Sequence, residues 1–187
     1  MSSVVSARRS VRKKRLLNYK ISANVKKYDI VYIVKQKEEQ DMENIQVMFS
    51  SQSNEWSTPT DFFEELDTEF NFTLDPCATR FNAKCQKYYT IDDNGLEQSW
   101  EGEIVFCNPP YGKEIKDWVR KAYIEGCKPN TTVVLLVPAR TDTKWFHEFV
   151  YHEAKEIRFI KGRLKFGDSK NAAPFPSMVV VYRGPRI

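Results

Sequence analysis

Three unbroken apolar runs, separated by segments with helical spacing, constrain the fold of this chain more than any other feature. The runs EIVFC, TTVVLLVP and SMVVVYR begin at residues 103, 131 and 177. Between the first two, Ile115, Trp118 and Ala122 fall on one face of a helix. Strands that are apolar at every position are buried on both sides, which is typical of parallel sheets covered by helices. The sequence predicts an α/β fold with a mostly parallel sheet and helices on both faces.

The last two predicted strands change the direction of that sheet. The segment EIRFIKGRLKF, residues 156–166, is predicted to be a strand with an extension, and its last part, GRLKF, is followed by SMVVVYR without a helix between them. A parallel pair needs a long crossover connection, whereas antiparallel strands are joined by shorter ones. We therefore expect an antiparallel strand at the end of the sheet.

The first fifty residues differ from the rest in charge and pattern. They hold 11 Lys and Arg against 5 Asp and Glu, whereas the whole chain holds 29 against 25. Their basic and charged stretches lack strong periodicity, so they predict a basic, flexible or partly ordered N-terminal extension over residues 1–50. Residues 51–187 are predicted to be one folded domain. The extension could bind phosphates without sequence preference, or Met48 could be the true start.

The apolar runs, the N-terminus and the cysteine spacing indicate the location of the protein and whether it holds a metal. The longest apolar run, around residues 133–137, is far shorter than the roughly 20 residues of a membrane span. The basic N-terminus has no apolar core behind it, so it does not resemble a secretory signal. The four cysteines have no CxxC spacing, which argues against a structural metal site. We expect a cytoplasmic protein without a metal, with a monomer favoured.

Polar or turn-forming residues end three of the predicted strands. Asp75, Asn108 and Pro138 each close such a strand. In open α/β sheets, ligands bind outside the carboxyl ends of the strands, so the three loops are expected to converge on one site. Asp75, together with Asp92 and Asp93 in a later loop, is a candidate for a small-molecule pocket. These loop acids could instead cap helices or solvate turns.

The stretch NPPY, residues 108–111, carries the most specific chemistry. Two prolines remove two backbone donors and stiffen the turn, so its carbonyl groups point outward. The Asn108 side-chain oxygen and the Pro109 carbonyl are acceptors, and Tyr111 offers a flat ring. These groups suit a planar amino group on a ring, held by two hydrogen bonds and by stacking. Asn108 is not a base near neutral pH, so such a site acts by orientation.

Residues 155–187 form a second basic region. They hold eight Lys and Arg but only Glu156 and Asp168 as acids. A local surplus of this kind fits a polyanionic partner, although a solvated surface has the same composition.

Several motifs in register with NPPY resemble those of phage-type DNA N6-adenine methyltransferases. They are NEWSTPTDFF, FTLDPCAT with FNAK, Gly95-Leu96 with Trp100, VFCNPPYG with Trp118, LLVPARTDTKWFH, and GRLKFGDSKNAAPFPSMVVV. They span roughly residues 55–181. The resemblance implies a Rossmann-like methyltransferase sheet, S-adenosylmethionine as cofactor and adenine in DNA as substrate. It also implies a phage or prophage gene acting in the bacterial cytoplasm, with residues 51–187 as the catalytic domain.

The resemblance implies two groups of cofactor-binding residues. The amino-terminal motif matches Trp56, Ser57, Thr58 and Pro59, and the loop after the first strand matches Asp75, Pro76, Cys77 and Ala78. Asp75 would face the methionine part of the cofactor, and Asp92 or Asp93 would meet the ribose hydroxyls. The glycine-rich FxGxG form common in methyltransferases is absent here. The resemblance therefore does not assign the backbone groups that touch the cofactor.

The resemblance also implies the catalytic and DNA-binding residues. The catalytic motif matches Asn108, Pro109, Pro110 and Tyr111, and the DNA-binding candidates are Arg140, Arg163, Lys165 and Lys170. The target adenine would be turned out of the duplex and stacked on Tyr111. NPPY alone also fits methylation of protein glutamine or of cytosine N4. A noncatalytic DNA-binding module of the same fold is a further alternative.

Overall fold

The computed structural model describes residues 56–167 and 171–187. The predicted N-terminal extension, residues 1–50, lies outside the described residues, as does Lys170. In the described part, three helices and six strands are present. The helices are α1 (Thr60–Phe70), α2 (Ile115–Gly126) and α3 (Lys144–Phe149). The strands are β1 (Leu74–Asp75), β2 (Lys87–Tyr88), β3 (Ile104–Cys107), β4 (Thr132–Pro138), β5 (Glu156–Phe159) and β6 (Ser177–Arg183).

The strands form one mixed sheet in the order β2-β1-β3-β4-β6-β5. The first four strands in this order are parallel to one another, and β6 runs antiparallel to both β4 and β5. The predicted α/β, Rossmann-like class with an antiparallel strand near the end of the sheet is confirmed. The predicted strand over residues 156–166 is confirmed for residues 156–159, which pair with β6, whereas its extension over residues 162–166 is not a strand. Because β6 already has a neighbour on each side, no edge of it remains for GRLKF.

Helices cover both faces of this sheet, as predicted. Phe106 on β3 packs edge-on against Phe63 of α1, with ring centroids 5.0 Å apart. Tyr182 on β6 packs against Tyr123 of α2, with centroids 6.0 Å apart. In the strand register, Phe106 lies in line with Val181, so Phe106 and Tyr182 occupy opposite faces because successive side chains alternate. Helix α1 therefore covers one face and α2 the other.

The strand order reverses between β1 and β3. From β1 the chain passes outward to β2, whereas from β3 it passes in the other direction to β4. A reversal of this kind leaves a crevice outside the carboxyl ends of the two central strands. Asp75 ends β1 and Asn108 follows β3 directly, so both residues lie at this crevice.

No helix in the described ranges combines the length and apolar character needed to cross a membrane.

Candidate active site

The Asn108 side chain is fixed by three hydrogen bonds. Its amide nitrogen Nδ2 donates to the backbone oxygen of Trp56 and, at 2.8 Å, to Oγ1 of Thr58. Its oxygen Oδ1 accepts a hydrogen bond of 2.8 Å from the Tyr111 hydroxyl. Both amide hydrogens thus have acceptors, and Oδ1 keeps one lone pair for a further donor. Asn108 itself is only half-buried, so the amide is open on one side.

The rest of the NPPY turn, residues 109–111, is more enclosed than Asn108. Pro109 is buried and Pro110 half-buried, and no hydrogen bond from a described residue reaches the Pro109 carbonyl oxygen. The Tyr111 hydroxyl lies 3.3 Å from the backbone oxygen of Leu136, in addition to its bond with Asn108. Burial raises the pKa of Tyr111 well above its usual value, so the hydroxyl stays protonated and acts as a donor.

Tyr111 belongs to an aromatic cluster that we define as Trp56, Tyr111, Phe166 and Phe175. The six distances between ring centroids range from 5.0 to 6.5 Å. The planes of Trp56 and Tyr111 are 21° from parallel, and both phenylalanines meet these two rings at steep angles. Only 5% of Tyr111 is exposed. The predicted stacking of a base on Tyr111 therefore requires a neighbouring ring to move.

Sequence reasoning did not select Phe166 or Phe175 as site residues. Phe166 lies in a stretch where exposed and buried residues alternate, with Leu164 and Phe166 facing inward. The alternation of polar and apolar residues is visible in the sequence, but it does not show which residues Leu164 and Phe166 pack against.

The segment 56–58 connects this cluster to the loop between β5 and β6. The backbone N–H of Gly167 donates to the carbonyl oxygen of Ser57 at 2.7 Å. The same loop is closed by a bond from the Ala173 N–H to the Leu164 oxygen at 2.8 Å. Residues 56–58 thus lie between the NPPY turn and the loop 160–176.

Asp75 organises the loop that follows β1. Its Oδ1 accepts the backbone N–H of Cys77 at 3.3 Å, and its Oδ2 accepts the N–H of Lys84 at 3.1 Å. The residue is only 4% exposed. Burial raises the pKa of Asp75 to about 6, although the two backbone donors and the charge of Lys84 act in the opposite direction. The carboxylate thus holds both ends of the loop 76–84.

The turn after β2 packs tightly on this loop. A side-chain carbon at Gly95 would lie 2.0 Å from the Pro76 carbonyl oxygen, so only glycine fits there. The Asp93 carboxylate accepts the N–H and the hydroxyl of Thr90, at 2.8 and 2.7 Å. Asp92 is exposed and makes no side-chain hydrogen bond within the described residues. Of the two acids, Asp92 is therefore the one with an uncommitted carboxylate.

The predicted DNA-binding residues that the structure describes lie at the same edge of the sheet or in the loop beside it. Arg140 follows β4 and is exposed, and Arg163 and Lys165 are exposed in the loop 160–176. A guanidinium N–H of Arg163 lies 3.4 Å from the Ala173 carbonyl oxygen. Arg158, at the start of this basic region, differs because Glu69 and Glu156 both bind its guanidinium group. Its charge is therefore already paired.

Within residues 56–167 and 171–187, no group of three or more His, Cys, Asp or Glu is arranged to hold a metal ion.

Comparisons with known proteins support the sequence resemblance. A family model described as DNA N-6-adenine-methyltransferase (Dam) matches residues 46–185, a range that includes every candidate site residue. The DNA N-6-adenine-methyltransferase of Haemophilus phage HP1 is 33% identical over 135 residues, covering 68% of this chain and 77% of that protein. The enzyme of the same description from Escherichia phage T1 is 34% identical over 111 residues, covering 58% of this chain and 45% of that protein. Among solved structures, a Pyrococcus horikoshii protein assigned as an RNA methyltransferase aligns over 54% of this chain and 52% of its own, with a TM-score of 0.38 and 15% identity.

Proposed function

Because the chain belongs to the DNA N-6-adenine-methyltransferase (Dam) family, we propose that it transfers a methyl group from S-adenosylmethionine to N6 of an adenine turned out of duplex DNA. The phage origin of its relatives supports a role in bacterial cytoplasm.

One observation carries the proposal, namely the position of the NPPY turn at the reversal of strand order. Asn108 follows β3 and Asp75 ends β1, and these neighbouring strands are parallel. A ligand in the crevice between them lies against the β1 loop on one side and against the acceptors of NPPY on the other. That juxtaposition suits a reaction between a bound cofactor and an amino group.

The residues at this crevice fit S-adenosylmethionine. When bound, this cofactor supplies an electrophilic methyl group next to a positively charged sulfur. Asp75 shapes the loop that would enclose the methionine part, and a lone pair on its buried carboxylate remains for the cofactor's ammonium group. Asp92 is better placed than Asp93 for the ribose hydroxyls because its carboxylate has no partner in the described part. The proposed contacts are Trp56, Pro59, Asp75, Pro76, Cys77, Ala78 and Asp92.

The catalytic turn orients the target nitrogen. The two N–H bonds of adenine N6 donate to Asn108 Oδ1 and to the Pro109 carbonyl oxygen, both of which have an available lone pair. This arrangement favours a pyramidal nitrogen, whose lone pair forms the new N–C bond as the S–C bond breaks. Asn108 is not a base, so the surplus proton of N6 passes to water after the bond has formed.

Entry of the base involves the aromatic cluster. Turning an adenine out of the duplex costs a few kcal/mol, and stacking on an aromatic ring returns about 1 to 3 kcal/mol. Because Tyr111 is enclosed by Trp56, Phe166 and Phe175, the base replaces ring contacts rather than entering an open slot. Contacts of the phosphates with Arg140, Arg163, Lys165 and Lys170 supply further binding energy.

The proposal is tested by the identity of the methylated product. The protein is incubated with unmethylated DNA and methyl-labelled S-adenosylmethionine, and the DNA is digested to nucleosides. The expected label is in N6-methyladenine; label in cytosine or only in protein would contradict the proposal. Asn108→Ala should lose at least about 100-fold in rate while cofactor affinity stays within twofold. Glu114→Ala, at an exposed position just beyond the turn, is the matched control and should remain active.

A further inference from the structure

We propose that Thr58 is a positioning residue that fixes the Asn108 amide with its oxygen toward the target amino group. This role differs from the cofactor contact that the sequence resemblance implies for Thr58, and it rests on the proposed function only for its catalytic consequence. Thr58 touches Asn108 rather than the reacting atoms, and it is 6% exposed.

The argument begins with the two ends of an amide side chain. The oxygen is an acceptor and the nitrogen a donor, and they are almost equal in shape, so packing alone does not choose between the two orientations. Only the oxygen end can accept a hydrogen bond from an amino group. A rotation by 180° about the last side-chain bond would place donors against donors and abolish the contact.

Three surrounding groups select the productive orientation. The Trp56 carbonyl oxygen is an obligate acceptor, and the Thr58 hydroxyl provides a second acceptor for the other amide hydrogen. The Tyr111 hydroxyl donates to Asn108 Oδ1 at 2.8 Å, the shorter of its two contacts, since the Leu136 oxygen lies at 3.3 Å. In the reversed orientation, Oδ1 would face the Trp56 oxygen, and the amide nitrogen would lose both of its acceptors.

Thr58 is the member of this set whose acceptor can be removed with little other change. The Trp56 oxygen belongs to the backbone, and Tyr111 is part of the catalytic motif. The segment carrying Thr58 is tied to the loop 160–176 by the Gly167 N–H on Ser57 O at 2.7 Å. The hydroxyl therefore occupies a defined position.

The kinetic test compares Thr58→Val with Thr58→Ser. Valine has nearly the same shape but no acceptor, and serine keeps the hydroxyl. We expect Thr58→Val to lower kcat by about 10- to 100-fold with cofactor affinity within twofold, since a misoriented contact costs up to about 100-fold. Thr58→Ser should retain at least about a third of the rate. Thr68→Val, which removes an exposed hydroxyl bonded to the Glu64 carbonyl, is the matched control and should be unaffected.

A second measurement does not depend on activity. The side-chain N–H signals of Asn108, identified by their absence in Asn108→Asp, should exchange with solvent at least about tenfold more slowly than those of exposed Asn94. Thr58→Val should accelerate this exchange, and Thr58→Ser should not. The wild-type measurement alone decides the orientation if Thr58→Val does not fold.

The outcomes separate this inference from the proposed function. Unchanged kcat with weakened cofactor binding in Thr58→Val would overturn the positioning role, and so would fast exchange of the Asn108 amide in the wild type. Failure of the wild type to form N6-methyladenine would overturn the proposed function, whereas the exchange data would still decide the role of Thr58.

Discussion

The two sides of the crevice are held in place by different forces. On the cofactor side, defined as the loop 76–84 and the turn 90–95, carboxylates bind backbone N–H groups and a glycine permits close contact. On the base side, defined as residues 56–58, residues 108–111, Phe166 and Phe175, four rings pack together. Hydrogen bonds to a carboxylate are directional, whereas contacts between rings tolerate several arrangements.

The difference matches what each side is proposed to bind. A small cofactor fits a cleft whose loops are already in place, which limits the entropy lost on binding. An extruded base arrives as part of a large polymer and replaces existing ring contacts. The comparison leads us to expect that substitutions on the cofactor side change stability and shape sharply, whereas those on the base side have graded effects.

The largest effect is expected for Gly95→Ala on the cofactor side. A side-chain carbon there would lie 2.0 Å from the Pro76 carbonyl oxygen, which is backbone, and 3.3 Å from the Trp118 ring. We expect the free energy of unfolding to fall by about 4 kcal/mol or more, measured by urea denaturation. Gly102→Ala is the control, because Gly102 has a positive φ of 80° but open space around it. It should cost only about 1 kcal/mol, and equal losses would contradict the close-contact explanation.

Asp75 gives the cofactor side a dependence on pH. Its folded-state pKa of about 6 lies above the ordinary value of 3.8, so the folded protein binds more protons than the unfolded chain between these values. The free energy of unfolding should therefore fall by about 2 kcal/mol as pH rises from 4 to 6, relative to Asp75→Asn. Denaturation of both proteins at pH 4, 5, 6 and 7 measures the difference. Parallel pH profiles would show that the carboxylate is not protonated in the folded state.

On the base side, smaller and graded losses are expected. Phe166 is 3% exposed, so Phe166→Leu should lower the free energy of unfolding by about 1 to 2 kcal/mol through lost ring contacts. Phe175 is half-buried, and Phe175→Leu should cost about half as much. Thermal denaturation of the two variants gives the comparison. Losses as large as that of Gly95→Ala would remove the distinction between the two sides.

The main strands and the convergence of the site could be predicted from sequence. The runs at residues 104–107, 132–138 and 177–183 are largely apolar, and all three are strands in the structure. Asp75 and Asn108 lie at the same edge of the sheet because neighbouring parallel strands end at one edge. This rule needs no side-chain detail. The strand predicted over residues 156–166 is shorter in the structure, because β6 is already paired on both sides by β4 and β5 and no edge of it remains for residues 162–166.

The contacts that orient Asn108 could not be predicted in this way. Its partners Trp56 and Thr58 lie 52 and 50 positions earlier in the chain, and their approach depends on the path of a non-helical segment. The loop partners of Asp75 pose the same difficulty, since any nearby backbone N–H serves a carboxylate equally well. Burial of Tyr111 likewise depends on rings from two distant segments, residues 56–58 and the loop 160–176.

The smallest effect on stability is expected at Lys165, where DNA binding rather than folding is affected. Lys165 is exposed and has no ion pair among the described residues, so Lys165→Gln should change the free energy of unfolding by less than about 0.5 kcal/mol. Each phosphate contact contributes about 0.9 to the slope of log affinity against log salt concentration, so loss of one contact should make that slope shallower by about this amount.

Arg158→Gln is the control, because Glu69 and Glu156 already neutralise Arg158. Its slope should equal that of the wild type when binding to duplex DNA is titrated between 50 and 200 mM salt. A change of slope in Arg158→Gln but not in Lys165→Gln would place the DNA at the β5 edge of the sheet instead of beside the base side of the crevice.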